Sequence, residues 1–440
     1  MKKKIKGFMF YIAFVASLGG FLFGFDTVVV SGAEKGIQAY YGLSGWLHGF
    51  TMAVALFGTI AGALFCGRPA EAFGRLASLK AIAYLYLFSA LGCALVANWW
   101  ALVFFRFMGG VAVGASSVVG PMYIAEIAPA DWRGRFVAFF QFNIVLGLVT
   151  AYVSNWWLSG LGLRDDWRWM LGVLAIPSAI FAALLYTIPE SPRWLVLKGR
   201  KSEAGSVLSK IGGADAESSL AQIEASVSES SGSEPLFQKK YWKPIMIAFF
   251  IATFNQLSGI NAINYYAPRI LETAGVFRES ALLQSIFIGL TNLVFTMVGM
   301  VLIDKFGRKN LLYVGSVFMT AALLSVAAGF KFESLGGCYM LFSLMMFIAA
   351  FAMSLGAVIW VLISEVFPTS VRAKGQVFGS MTHWTWCALL TWAFPALVEG
   401  GQSVPTFCFF ALMAALTFVF AMKLPVTKNK SLEEIQRELT

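Results

Sequence analysis

The sequence predicts an all-α polytopic membrane protein, with about twelve transmembrane helices in two pseudo-symmetric six-helix bundles. Three observations predict it. The 440 residues are 58% hydrophobic and only 13% charged, with a mean hydropathy of +0.73, unlike a soluble globular chain. Apolar runs of about 20 residues, the length that crosses a bilayer, recur along the whole chain. They are continuous rather than alternating, which argues against an outer-membrane barrel. Finally, Glu126-x-x-Pro129-x-x-x-Arg133 returns as Glu365-x-x-Pro368-x-x-x-Arg372, and Gly74-Arg75 returns as Gly307-Arg308. Duplication of this kind marks two halves related by an axis along the membrane normal.

In chain order, spans are expected near 8–31, 46–67, 77–97, 99–123, 135–158 and 166–189, and then near 243–268, 280–303, 309–331, 337–364, 375–399 and 404–424. This divides the chain into a first half (1–189), a cytoplasmic linker with short amphipathic helices (190–242), a second half (243–424) and a cytoplasmic tail (425–440). The linker is polar, with Leu208, Ile211, Leu220 and Ile223 at helical spacing and a flexible Ser228 to Ser233. The opening lysines and apolar run imitate a secretory signal. The run is too long, lacks a small-residue cleavage site and carries Asp26, so a retained first helix is expected.

The net charge of +10 is topological. Most of the 33 Lys and Arg lie at the N-terminus, in every second inter-helix loop, in the linker and in the tail. The positive-inside rule places both termini in the cytoplasm, and nucleic acid is not an expected partner. The five cysteines are scattered and odd in number, and no Cys/His cluster indicates a metal site or disulfide framework. No cofactor is expected. An enzyme is poorly supplied, with two histidines and no G-x-x-x-x-G-K loop. Gly109-Gly110-Val111-Ala112-Val113-Gly114 imitates a dinucleotide loop but lies inside an apolar run, where glycines serve helix packing.

Between Gly7 and Ser31 only Asp26 carries a charge at neutral pH. A carboxylate in the membrane costs roughly 2.5–3.5 kcal/mol on insertion scales, so it should face protein or a watery cavity. The plain alternative is a structural hydrogen bond. Gly20 and Gly24 stand four apart and allow another helix to approach closely. Arg106, the only basic residue early in the fourth span, is the natural partner. Paired, it favours ionised Asp26; separated, burial favours the acid. Gln141, Asn255, Gln256, Asn261 and Asn292 also fall inside apolar runs. Amides both donate and accept, so they suit a neutral polyol, and they also suit interhelical bonding.

Taken together these motifs resemble the sugar porter family of the major facilitator superfamily, closest in pattern to bacterial proton-coupled xylose and hexose symporters. The resemblance rests on Phe23-Gly24-Phe25-Asp26-Thr27, Gly67-Arg68-x-x-Glu71-x-x-Gly74-Arg75, Arg106 with Gly109, Gly110 and Gly114, and Pro121-x-Tyr123-x-x-Glu126-x-x-Pro129-x-x-x-Arg133. It extends through Pro189-Glu190-Ser191-Pro192-Arg193-Trp194, Gln256-x-Ser258-Gly259-x-Asn261-x-x-x-Tyr265-Tyr266, Asp304-x-x-Gly307-Arg308 and the second octad. It implies a secondary transporter that moves a monosaccharide, a hexose or pentose, by alternating access and proton symport through Asp26 and Arg106.

The resemblance implies a sugar site of Gln141, Asn255, Gln256, Asn261, Tyr265, Asn292, Trp360, His383 and Trp384. It implies a cytoplasmic gate of Arg75, Glu126, Arg133, Glu190, Arg308, Glu365 and Arg372. For His383, sugar binding, titration and neutral packing all stay open; for the gate, the alternative is a solvated rim. The expected partners are a small-molecule sugar, a proton and the lipid bilayer of a bacterial inner membrane, with a monomer sufficient. A uniporter without coupling and a sugar-sensing receptor are the alternatives; the tail is short for a receptor.

Several residues depart from the family pattern. Asn255 replaces a glutamine, Glu71 an aspartate and Leu76 a basic residue. Gly356-Ala357 lacks a proline, and Val426 stands where a glutamate is usual, which puts one gate contact in doubt.

Overall fold

Apolar runs in a bilayer must satisfy their own backbone groups, and a helix does so within one segment. The computed structural model describes residues 2–212, 216–228, 234–368 and 370–424, and among them helices are the only regular elements. They are α1 (Lys2–Tyr41), α2 (Gly45–Phe65), α3 (Gly67–Phe73), α4 (Arg75–Leu95), α5 (Trp99–Ile127), α6 (Ala130–Ser159), α7 (Asp166–Gly172) and α8 (Ala175–Leu184). The linker carries α9 (Pro192–Leu197), α10 (Lys201–Gly212) and α11 (Ala216–Ser228). The remainder holds α12 (Trp242–Leu257), α13 (Ile260–Thr273), α14 (Arg278–Phe306), α15 (Arg308–Lys331), α16 (Gly336–Met353), α17 (Leu355–Val366), α18 (Arg372–Glu399) and α19 (Ser403–Lys423). The Ser228 to Ser233 stretch, apart from the end of α11, and the tail from Pro425 lie outside the described residues.

Among the described residues, 11 helical segments are long and apolar enough to cross a membrane. The twelfth expected span is α18, 28 residues long. It is diluted by Lys374, Gln376, Thr382, His383 and Thr385, so its length and its apolarity disagree.

Several expected spans are interrupted. Gly259 adopts φ +88°, a left-handed conformation that separates α12 from α13. A side chain there would be strained and would overlap the Phe410 ring, so glycine is required. Ser354, at φ −116° and ψ −94°, separates α16 from α17 without a proline. Conversely, α1 does not stop near residue 31 but continues through Glu34 and Lys35 to Tyr41.

Contacts divide the chain into two compact units. The first is Met1–Thr27, Gly58–Leu148 and Leu171–Gly232; the second is Val28–Phe57, Val149–Met170 and Ser233–Thr440. Within the first, α1 and α6 touch backbone to backbone. A Cβ on Gly24 would overlap the Ile144 carbonyl, and one on Gly147 would overlap that of Phe21. The glycine-rich stretch of α5 packs the same way, since a Cβ on Gly114 would overlap the Thr59 carbonyl. Small residues buy this proximity, which gives dispersion contacts their shortest range in a lipid environment.

Candidate functional site

In the first unit, Asp26 is only 5% exposed, so its carboxylate faces protein. Its Oδ1 lies 3.8 Å from Nη1 of Arg106 on α5. That distance is an ion pair beyond hydrogen-bond range. Arg106 is 3% exposed, and its Nε and Nη2 have no hydrogen-bond partner. Unsatisfied buried donors are costly, so this pair is held together loosely and satisfied poorly. The backbone beside it is bare: a Cβ on Gly109 would stand 3.7 Å from Asp26 Oδ1 and would overlap the Ser89 hydroxyl. Gln141, on α6, is half-buried in the same unit.

The second unit gathers a neutral polar cluster. Asn261 Nδ2 donates to Gln256 Oε1 at 2.7 Å, and Gln256 Nε2 donates to Asn255 Oδ1 at 2.9 Å. Gln256 Nε2 also stands 3.1 Å from Nε2 and 3.2 Å from Nδ1 of His383. Asn255 Nδ2 donates to the Leu355 carbonyl at 3.2 Å, beside the Ser354 break. The break between α12 and α13 is what lets amides five residues apart meet. Against His383 stand two indoles, Trp360 at 5.0 Å and Trp384 at 4.9 Å between ring centroids. Trp360 is 42% exposed, so part of its ring beside His383 is open for apolar contact. Tyr265 is buried one turn beyond Asn261 on α13. Asn292, on α14, accepts a hydrogen bond from Thr296 one turn on, at 3.1 Å. Such a constellation can bind hydroxyls and the apolar face of a ring; it offers no group for covalent chemistry. Among the described residues no group of three His, Cys, Asp or Glu could hold a metal.

The duplicated charges sit at matching helix junctions, each pair inside its own unit. In the first, Arg75 grips Glu126 in bidentate fashion, Nε to Oε2 at 2.9 Å and Nη2 to Oε1 at 2.8 Å. Ser191 Oγ donates to Glu126 Oε2 at 2.6 Å. Glu190 accepts from the backbone N–H of Arg75 and Leu76 and so caps the start of α4. In the second unit, Arg308 Nη2 donates to Glu365 Oε1 at 2.6 Å. Arg372 Nε donates to the Phe367 carbonyl at 3.3 Å. The side chain of Arg133 lies outside the described residues.

Sequence reasoning missed one charged group. Glu34 on α1 is 1% exposed, accepts from Arg269 Nε at 2.9 Å, and lies 2.7 Å from Nε2 of His48. The available signal is two charges, Glu34 and Lys35, just past the expected end of the first span near residue 31.

The chain is 36% identical to the arabinose-proton symporter of Bacillus subtilis (strain 168) over 444 residues, covering 98% of this chain and 95% of that protein. It is 35% identical to the D-xylose-proton symporter of Escherichia coli (strain K12) over 468 residues, with coverage of 98% and 95%. The structure of the inward open conformation of the xylose transporter XylE from E. coli superposes with a TM-score of 0.88 at 34% identity, covering 98% of this chain and 100% of that one. The family model described as Sugar (and other) transporter matches residues 12–439. The chain therefore belongs to the sugar (and other) transporter family: it is a membrane transporter of the major facilitator fold and not an enzyme.

Proposed function

We propose that the protein is a proton-coupled symporter of a monosaccharide, a pentose or hexose, working by alternating access between its two halves, 1–189 and 243–424. Relatives named as arabinose-proton and D-xylose-proton symporters support the substrate class. The observation that carries the coupling is the Asp26–Arg106 pair, buried, 3.8 Å apart and incompletely hydrogen-bonded. A small helix movement changes that separation and with it the balance between attraction and burial that decides whether Asp26 holds a proton. Each proton brought in carries about 2.3 kcal/mol per 100 mV of membrane potential.

Sugar is bound by Gln256, Asn261, Asn255 and His383, with Trp360 and Trp384 stacking on its ring and Tyr265 and Asn292 completing the cluster; Gln141 is a further binding residue on the family resemblance. Each hydrogen bond contributes about 0.5–1.5 kcal/mol net, enough in sum for useful binding and small enough for release. The charged junctions around Arg75–Glu126–Glu190 and Arg308–Glu365, with Arg133 and Arg372, form the cytoplasmic gate. Both termini face the cytoplasm of a bacterial inner membrane, following the basic loops, and a monomer suffices.

Uptake of a sugar panel into proteoliposomes, with and without an imposed pH gradient, tests this reading. The parent should accumulate sugar only with the gradient. Asp26→Asn should lose accumulation and keep sugar exchange; accumulation by that variant would remove Asp26 from the mechanism. Gradient-independent uptake by the parent would make the protein a uniporter.

A further inference from the structure

The charges in the distal part of α1 do something the coupling pair and the sugar cluster do not. Glu34 sits in the spanning segment Gly7–Tyr41, where an unpaired carboxylate would be costly. Its partners come from elsewhere in the chain. Arg269 lies on α13 and His48 on α2, and both are nearly inaccessible, at 6% and 0% exposed. Arg269 also donates through Nη2 to Gln38 on α1 and lies 3.5 Å from Glu399 at the end of α18. Gln38 Nε2 donates to the same Glu399 oxygen at 2.5 Å. Lys35 pairs with Glu272 of α13 at 2.5 Å, and Asp166 of α7 pairs with Arg278 of α14 at 2.8 Å.

Every one of these ties except His48–Glu34 and Arg269–Glu399 joins a helix from the first 189 residues to one from beyond residue 242, within the second compact unit. Packing is equally close there. A Cβ on Gly49 would overlap the Trp392 carbonyl, and Trp392 Nε1 donates to the Trp46 carbonyl at 3.1 Å. In a protein whose halves rock, ties between the halves are made in one state and broken in the other. A buried pair is a strong determinant of that choice, because separating it strands both charges.

We infer that Glu34 is the keystone of an outer latch: with Arg269 and His48 it holds the helix ends remote from the termini together, and so sets how readily sugar enters from outside. The inference rests on the alternating-access reading above. Lys35–Glu272 is the exposed flank of the latch, with side chains 40% and 16% exposed, and contributes less. Gln38 and Glu399 hold the far side of the Arg269 guanidinium.

The test is outward accessibility, measured without sugar. A cysteine at Thr51, buried one turn inward of His48, is placed in the full chain with its five native cysteines replaced. Labelling by a membrane-impermeant maleimide is then followed in right-side-out vesicles. Glu34→Gln and Arg269→Gln should each speed labelling by at least about tenfold, and should lower the external KM for sugar more than they change the maximal rate. Lys35→Glu and Glu272→Lys should each speed labelling several-fold, and the double reversal should restore the parent rate. That surface pair keeps the test decisive if the buried variants fail to fold. Unchanged labelling in the variants that fold, or no rescue by the double reversal, would overturn the latch. If the parent carries no sugar while labelling behaves as expected, the transport reading falls and the latch stands.

Discussion

The two copies of the charged octad share a spacing and differ in how fully they are satisfied. At the first junction Glu126 receives two donors from Arg75 and one from Ser191, while Glu190 closes the start of α4. At the second, Arg308 Nε, Glu365 Oε2 and Arg372 Nη2 are buried without a hydrogen-bond partner among the described residues. Arg75 and Glu126 side chains are 7% and 11% exposed, against 17% and 15% for Arg308 and Glu365. A duplicated sequence thus places the same charges at the same junctions without giving them equal strength. The first junction draws on Glu190 and Ser191; in the sequence of the second half the matching block reads Pro425-Val426-Thr427, outside the described residues, and a valine side chain cannot accept a hydrogen bond.

Four substitutions break or sharpen this contrast. The largest effect is expected from Glu126→Gln, which leaves Arg75 charged and buried. Unfolding of the purified chain in detergent should show a loss of about 3–5 kcal/mol. Glu365→Gln should cost less, about 1–2 kcal/mol, because Arg308 is more exposed and keeps Asp304 at 3.6 Å. Equal losses at the two sites would mean that the missing bonds of the second junction do not matter. Glu190→Gln removes a charged acceptor from a helix start and should lower stability by about 1 kcal/mol. The smallest change is a gain: Val426→Glu restores a carboxylate to that block of the sequence and should raise the thermal midpoint slightly, by the equivalent of about 0.3–1 kcal/mol. No gain would show that the second junction is capped in another way.

Much of the candidate site could be read residue by residue. Asp26 and Arg106 stand out because an ionisable group is conspicuous in an apolar run, and the structure puts them 3.8 Å apart. Gln256, Asn261 and His383 stand out for the same reason and share one cluster. Asn292 carries the same signal, yet it accepts its hydrogen bond locally, from Thr296. Polarity inside a span says that a partner is needed and not which partner is near. Glu34 shows the opposite case: it lies just past the expected first span of 8–31, and His48 and Arg269 allow the helix to continue past it.

By itself the sequence determined that this chain crosses a membrane many times as helices, that it is built twice over, and which polar side chains lie inside the apolar runs. Those follow from local composition, because a bilayer demands a long apolar segment with its backbone bonded internally. Only the tertiary structure decided how far α1 extends, where α16 gives way to α17, and that Glu34, Arg269 and Glu399 meet although they are remote in the chain. Such partners are chosen by the packing register of separate helices, and a charge is tolerated or not according to what that register brings beside it.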